Sequence, residues 1–207
     1  NSVGEYQEWF EKFAGDYDGV IHINIGSGFS SCYQNACLAA EDFPNVRVVD
    51  SMNLSTGQGL VVLEACRLAK ECATLEELHE KVQAFTEKVE ASFLLDQLKY
   101  MVKGGRCSTV AALGANLLNL KPCIEVKDGA MGVGKKYRGK FAMTLEKYVA
   151  DRIGDAADID TKRIFVTHAG CDAAIVDQCV KQVTDMGVFD EVLVTRAGCT
   201  VSAHCGR

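Results

Sequence analysis

Apolar residues recur at helical and strand spacing in alternation along most of this chain. Tyr6, Phe10 and Phe13 fall on one face of a helix over Val3–Ala14, and residues 19–25 then read as a β-rich strand. The pattern predicts a helix over 31–41, a short buried strand over Val46–Asp50 and a long apolar-faced helix over 57–72. Thr74-Leu75-Glu76-Glu77 has the form of a capping box, opening a helix with Leu78, Val82, Phe85 and Val89 on one face. Such alternation implies a mostly parallel sheet covered by helices.

Near residue 91 the pattern changes. Residues 91–95 are a strand candidate, 96–102 a short helix ending in Lys103-Gly104-Gly105-Arg106, and Ser108 can cap a helix reaching Asn119. Two strands, 121–127 and 130–137, are joined by Asp128-Gly129, the strongest short hairpin signal. A helix (141–153), a strand (164–168), a helix (173–186) and a strand (191–195) complete the series. The predicted fold class is therefore α/β with two α/β domains. Residues 1–90 form the remainder of an N-terminal, mostly parallel domain, and residues 91–207 form a C-terminal α/β domain. The chain has two prolines, no low-complexity linker and no internal repeat, which argues for closely packed domains. It opens on a helix instead of a strand and stops at Gly206-Arg207, so it reads as a fragment.

Composition narrows the partners. At 207 residues, 48% hydrophobic and 24% charged, the chain can bury a proper core. Its formal net charge of -6 argues against a nucleic-acid groove, which shows a basic excess on one face. No apolar run approaches the ~20 residues that span a bilayer, and no basic-then-apolar leader precedes Trp9. The expectation is a soluble, cytoplasmic protein without stable membrane insertion. None of the ten cysteines forms a pair separated by two residues, which disfavours zinc ribbons and thioredoxin-like motifs. Free, reduced thiols are expected, with Cys66 and Cys179 acting as small hydrophobes in helical patterns.

Three stretches can carry chemistry. Gly26-Ser27-Gly28-Phe29-Ser30-Ser31 joins a strand to a helix, where glycines, backbone N–H groups and the helix N-terminus can form an anion site. The plainer alternative is that Ser30 or Ser31 caps the helix. In Lys103-Gly104-Gly105-Arg106, two glycines can present a planar, always-charged guanidinium to a carboxylate, or merely end a helix. His204, within Gly198-Cys199-Thr200-Val201-Ser202-Ala203-His204-Cys205-Gly206, can donate a hydrogen bond or titrate near neutrality. His22 alternates within a strand, His79 falls on a polar helix face, and His168 ends a strand without an identified partner. A Walker ending and a Gly-x-Ser-x-Gly nucleophile elbow are both absent.

Several separated motifs resemble one family. Tyr17-Asp18-Gly19-Val20-Ile21-His22-Ile23, leading into Gly26-Ser27-Gly28-Phe29-Ser30-Ser31-Cys32-Tyr33-Gln34-Asn35-Ala36, closely resembles the DegV family's strand and its Ser-Ser-Gly-Leu-Ser-Gly-Thr-Tyr-Gln-like loop. Val48-Val49-Asp50-Ser51, Gly57-Gln58-Gly59-Leu60, Gly104-Gly105-Arg106 and Leu117-Leu118-Asn119-Leu120-Lys121-Pro122 also match, in order. Tyr137-Arg138-Gly139-Lys140 is similar to the family's Val-Arg-x-Arg segment, and His204-Cys205-Gly206 to its terminal His-x-Gly.

The resemblance implies two α/β domains with a ligand cleft between them. One long-chain fatty acid, such as palmitate or stearate, would lie there, with its carboxylate at Ser27, Gly28, Arg106 and His204. It implies a lipid-binding protein that is not itself an enzyme and needs no cofactor, similar to the binding subunit of a bacterial fatty acid kinase. That subunit presents the carboxylate to a kinase subunit for acyl-phosphate formation, with Arg138 facing the partner. Three departures stand out. Gly26 replaces a serine, and Cys205 replaces a threonine. The family's opening strand and Thr-Ser-Gln-Pro segment would precede Asn1, and a closing segment would follow Arg207. Two other readings compete. One is an α/β hydrolase or acyltransferase using Ser27 or His204, and the other a phosphate- or nucleotide-binding module using residues 26–31.

Overall fold

A computed structural model describes residues 1–105, 120–154 and 158–205. The first elements are α1 (Val3–Ala14), β1 (Val20–Asn24), α2 (Cys32–Ala40), β2 (Val46–Asp50), α3 (Ser55–Leu68) and α4 (Leu75–Thr86). Strands β1 and β2 pair in parallel, Val20 opposite Val46 and Asn24 opposite Asp50. Period-2 alternation divides their side chains between two helical layers. Val46 and Val48 pack with Tyr6, Phe10, Ala36 and Ala39 of α1 and α2. On the other side, Val49, Ile21 and Ile23 pack with Val61, Ala65, Leu68 and Val82 of α3 and α4.

Side chains define the helix starts. Ser2 caps α1 in a full capping box with Glu5, a device absent from the sequence expectation. Thr74 caps α4 by accepting from the Glu77 N–H. The Glu77 carboxylate, however, accepts from the Ala73 N–H, so the expected box closes one residue early. His79 also departs from expectation. Rather than lying on a solvated face, its Nε2 sits 3.0 Å from the Val48 carbonyl of β2.

Further along come β3 (Ala91–Leu94), α5 (Lys99–Gly104), β4 (Leu120–Lys127), β5 (Ala130–Arg138) and α6 (Phe141–Gly154). The series ends with β6 (Arg163–His168), α7 (Ala173–Asp185), β7 (Glu191–Arg196) and α8 (Cys199–Cys205). The helix expected over 108–119 lies outside the described residues. Strands β3, β4 and β5 form one sheet in that order. Asp128 and Gly129 both take positive φ, 52° and 73°, as the two-residue turn of the β4–β5 hairpin requires. Strands β6 and β7 pair in parallel, with Ile164, Val166 and Val192 against Val149, Ile153 and Val183 of α6 and α7.

The chain separates into two compact units, Asn1–Ala91 with Val126–Ala130, and Ser92–Glu125 with Met131–Arg207. The tip of the β4–β5 hairpin therefore belongs with the first unit, an excursion that a single cut near residue 91 does not include. Among the described residues, no helix is long and apolar enough to cross a membrane.

His22 packs edge-on against the rings of Tyr6 and Phe10, each 5.2 Å away. Burial lowers its pKa, opposed by a hydrogen bond to Asn24 that raises it. A histidine held neutral in the fold takes up a proton more readily once unfolded. Its stabilising contribution is thus complete above the unfolded value of ~6.5 and is lost as pH falls below it. Chemical-denaturation midpoints at pH 7 and pH 5 should show stability falling on acidification, and His22→Leu should flatten that slope.

Candidate functional site

The β1–α2 turn is built from close backbone approaches. The Gly26 N–H donates to the Asn53 carbonyl at 2.8 Å, and the Phe29 N–H to the Gly26 carbonyl at 2.9 Å. A Cβ on Gly26 would stand 2.9 Å from the Asn53 nitrogen, so the serine of the related loop cannot fit here unless the two turns separate. A Cβ on Gly28 would stand 2.2 Å from the Gly129 carbonyl oxygen, so the hairpin tip rests directly on this turn.

Asp50 ties the turn down. At the end of β2, its Oδ1 accepts from the Ser27 N–H at 3.0 Å and from the Met52 N–H at 2.9 Å. Met52 takes a positive φ of 50°, a strained conformation for a non-glycine residue that this bond helps to hold. Gln83 of α4 holds the Asp50 backbone in turn, accepting from its N–H and donating to its carbonyl. Asn53 completes the turn, donating to the Val89 carbonyl and accepting from the Leu54 N–H.

These contacts revise the anion-site expectation. The Ser27 N–H is engaged by Asp50, and the Ser30 hydroxyl accepts from the Cys32 N–H at the start of α2. Ser31 occupies the N-cap position without a side-chain cap bond. The Ser27 hydroxyl and the Gly28 N–H remain without partners among the described residues. Both border a pocket of about 430 Å³ whose walls include Tyr33, Asp50, Met52, Gln83 and residues 128–130. Burial pushes the Tyr33 phenol up to about 12, with the Cys37 thiol and the Asp50 charge adding to the effect. Tyr33 is therefore a neutral hydroxyl at physiological pH. Sequence reasoning missed Gln83 and the hairpin turn as parts of this pocket, although Asp128-Gly129 was visible as a hairpin.

Two other sequence candidates meet in the second unit. Helix α5 ends at Gly105, which takes the left-handed conformation at φ 65°. The imidazole of His204 in α8 lies against Gly104, close enough that a Cβ there would stand 2.2 Å from its Nδ1. Cys205, next along α8, packs against Leu95, Leu98, Met101 and Ile124, and burial raises its pKa. The cysteine standing where the related motif has threonine thus serves as a small hydrophobe. Arg106 lies outside the described residues.

Arg138 closes β5 and is exposed, as are Lys135, Lys136 and Lys140. Lys135 pairs with Asp151 at 2.7 Å, and the buried Tyr137 donates to the same carboxylate at 2.8 Å. Arg138 forms no ion pair among the described residues. His168 has a buried Nδ1 without a hydrogen-bond partner among the described residues. The described cysteines are free thiols. Cys179 joins an apolar cluster, but Cys66 is exposed, contrary to its expected place in a helix core. Among the described residues no group of three or more His, Cys, Asp or Glu is arranged to hold a metal ion.

Parallel strand pairs covered by helices, with a Gly-Ser turn leaving one strand, define a mixed α/β protein with a candidate ligand site at a strand end. A family model described as "Uncharacterised protein, DegV family" matches residues 1–207, and the chain belongs to the DegV family. A DegV domain-containing protein of Clostridium acetobutylicum is 32% identical over 203 residues, covering 97% of this chain and 71% of that protein. A fatty-acid-binding DegV family protein from Thermus thermophilus has a similar structure, with a TM-score of 0.81 and 26% identity over 99% of this chain and 73% of that one. One from Streptococcus agalactiae, also fatty acid binding, gives 0.82 and 25% over 100% and 73%.

The double role of Asp50 can be tested directly. Asp50→Ala removes the acceptor of two backbone N–H groups and should destabilise the protein by about 1–3 kcal/mol in urea unfolding. Asp50→Asn retains an acceptor oxygen and should recover most of the loss.

Proposed function

We propose that this chain binds one long-chain fatty acid, such as palmitate or stearate, as a carrier that catalyses no reaction itself. The observation that carries this reading is the match, over almost the entire chain, to DegV proteins of Thermus thermophilus and Streptococcus agalactiae that bind fatty acids. Ser27, Gly28, Arg106 and His204 are the proposed carboxylate ligands. The unengaged Ser27 hydroxyl and Gly28 N–H support the first two roles. The packing of His204 on Gly104, two residues before Arg106, supports the others.

Charge makes Arg106 the decisive group. Asp50 and Asp128 both border the first-unit pocket, and negative walls oppose an anion. A guanidinium forms short, charge-assisted bonds to a carboxylate and can outweigh that opposition. Burial of the acyl chain contributes ~0.8 kcal/mol per CH₂, so the tail supplies affinity while the polar groups fix orientation.

The second half of the proposal concerns a partner. The bound carboxylate is presented to a separate ATP-using kinase subunit, where its oxygen attacks the terminal phosphorus, ADP departs and an acyl phosphate forms. Such a partner implies a cytoplasmic setting. The exposed Arg138, flanked by Lys136 and Lys140 on a chain of net charge -6, is the proposed contact for the kinase or its phosphates. The Ser27 hydroxyl bonds no histidine of the first unit, so nothing in this turn favours the acyl-transfer alternative.

Mass spectrometry of organic extracts from the purified full-length protein should find a co-purifying C16–C18 acid. Bound nucleotide, or ester turnover lost on Ser27→Ala, would support a rival instead. Arg106→Ala should weaken palmitate binding about tenfold or more, with the melting temperature unchanged. Arg138→Ala should leave palmitate affinity intact and lower acyl-phosphate yield when the kinase is present. Equal loss of palmitate binding would place Arg138 at the ligand.

A further inference from the structure

Helices α5 and α8 come from segments about a hundred residues apart, and neither is long enough to be stable alone. They are joined on one side by apolar packing, where Cys205 meets Leu98 and Met101. The beginning of α8 is fixed separately, with the Ser202 N–H bonding the Gly198 carbonyl and the Ser202 hydroxyl the Ala197 carbonyl. His204 is therefore carried on a short, anchored helix whose neighbour in sequence is already committed to the interior. Its imidazole rests against the backbone of Gly104.

We propose that Gly104 is a positioning residue for His204, setting the direction in which the imidazole presents its nitrogens. The inference rests on the fatty-acid reading only for its effect on binding. The geometric constraint stands independently. An added Cβ would lie 2.2 Å from Nδ1 and 2.6 Å from Cε1, distances that no pair of real atoms sustains. The nearest atoms belong to a side chain, so the ring yields before either backbone does. It rotates to another staggered position, and its nitrogens then point elsewhere. Glycine at 104 thus differs in purpose from glycine at 105. Gly105 supplies a left-handed φ that ends α5, whereas Gly104 lies within the helix, and its missing Cβ leaves room for the His204 ring.

Gly104→Ala in the full-length protein provides the test, because alanine favours a helix more than glycine does and should not disrupt α5 by itself. The imidazole ¹⁵N and ¹³C signals of His204, assigned by their loss in His204→Ala, should move in Gly104→Ala without ligand. Palmitate affinity should fall about tenfold, matching the loss of one hydrogen bond to a charged group. The double variant Gly104→Ala/His204→Ala should bind palmitate no more weakly than His204→Ala alone. Unmoved His204 signals, or additive losses in the double variant, would overturn the proposal. If Gly104→Ala folds poorly, the double variant still decides. Removing the ring should restore the melting temperature, and failure to restore it refutes the steric coupling. Should the signals move while His204→Ala leaves palmitate binding intact, the positioning role stands and His204's place in the fatty-acid site fails.

Discussion

A parallel sheet of two strands can pair each strand along only one side, and the backbone groups along the outer sides still need partners once helices exclude water from them. In the first unit, polar side chains of the covering helices supply them. Gln58 of α3 donates to the Ile23 carbonyl, His79 of α4 bonds the Val48 carbonyl, and Gln83 holds both backbone groups of Asp50. The last of these matters most for the site. With its backbone held by Gln83, Asp50 can direct its carboxylate at Ser27 and Met52, and the glycine-rich turn inherits its shape from that bond. Remove the helix-to-strand contacts and the turn would be only a flexible loop.

This dependence explains which parts of the fold were legible in the sequence. Strands and long helices were, because Val46, Val48 and Val49, or Val61, Ala65 and Leu68, repeat at the period their layers demand. Helix α8 was not, since Cys199, Thr200, Ser202 and Ala203 present no apolar stripe and the helix exists through its contacts with α5. His79 misled for a related reason. Helical periodicity places it on a polar face, but that face meets a strand carbonyl instead of water.

The candidate site divides along the same line. Ser27 and Gly28 stand out locally because a Gly-Ser turn between a strand and a helix can offer backbone N–H groups to an anion. Asp50, Gln83 and Gly129 join them only through tertiary structure, which no spacing along the chain encodes. Likewise, no spacing along the chain joins the Gly104-Gly105 and His204 motifs, and the α5–α8 packing brings them together. Charge behaved similarly. The turn's promise as an anion site came from its N–H groups, but the fold assigns that of Ser27 to an aspartate and those of Gly26 and Phe29 to backbone carbonyls.

The five-residue contribution of Val126–Ala130 to the first unit has a consequence for how the protein is made. Synthesis proceeds from the N-terminus, so the first ninety-one residues emerge before the segment that rests on Gly28 has been translated. Until the β4–β5 hairpin follows, the Ser27–Gly28 turn lacks the Gly129 carbonyl that covers it. A contact spanning about a hundred residues also closes late in refolding, because bringing such distant segments together carries a large entropic penalty before any contact forms. The nascent chain therefore completes its helical layers early and its glycine-serine turn late, and the pocket takes shape only after the hairpin leaves the ribosome.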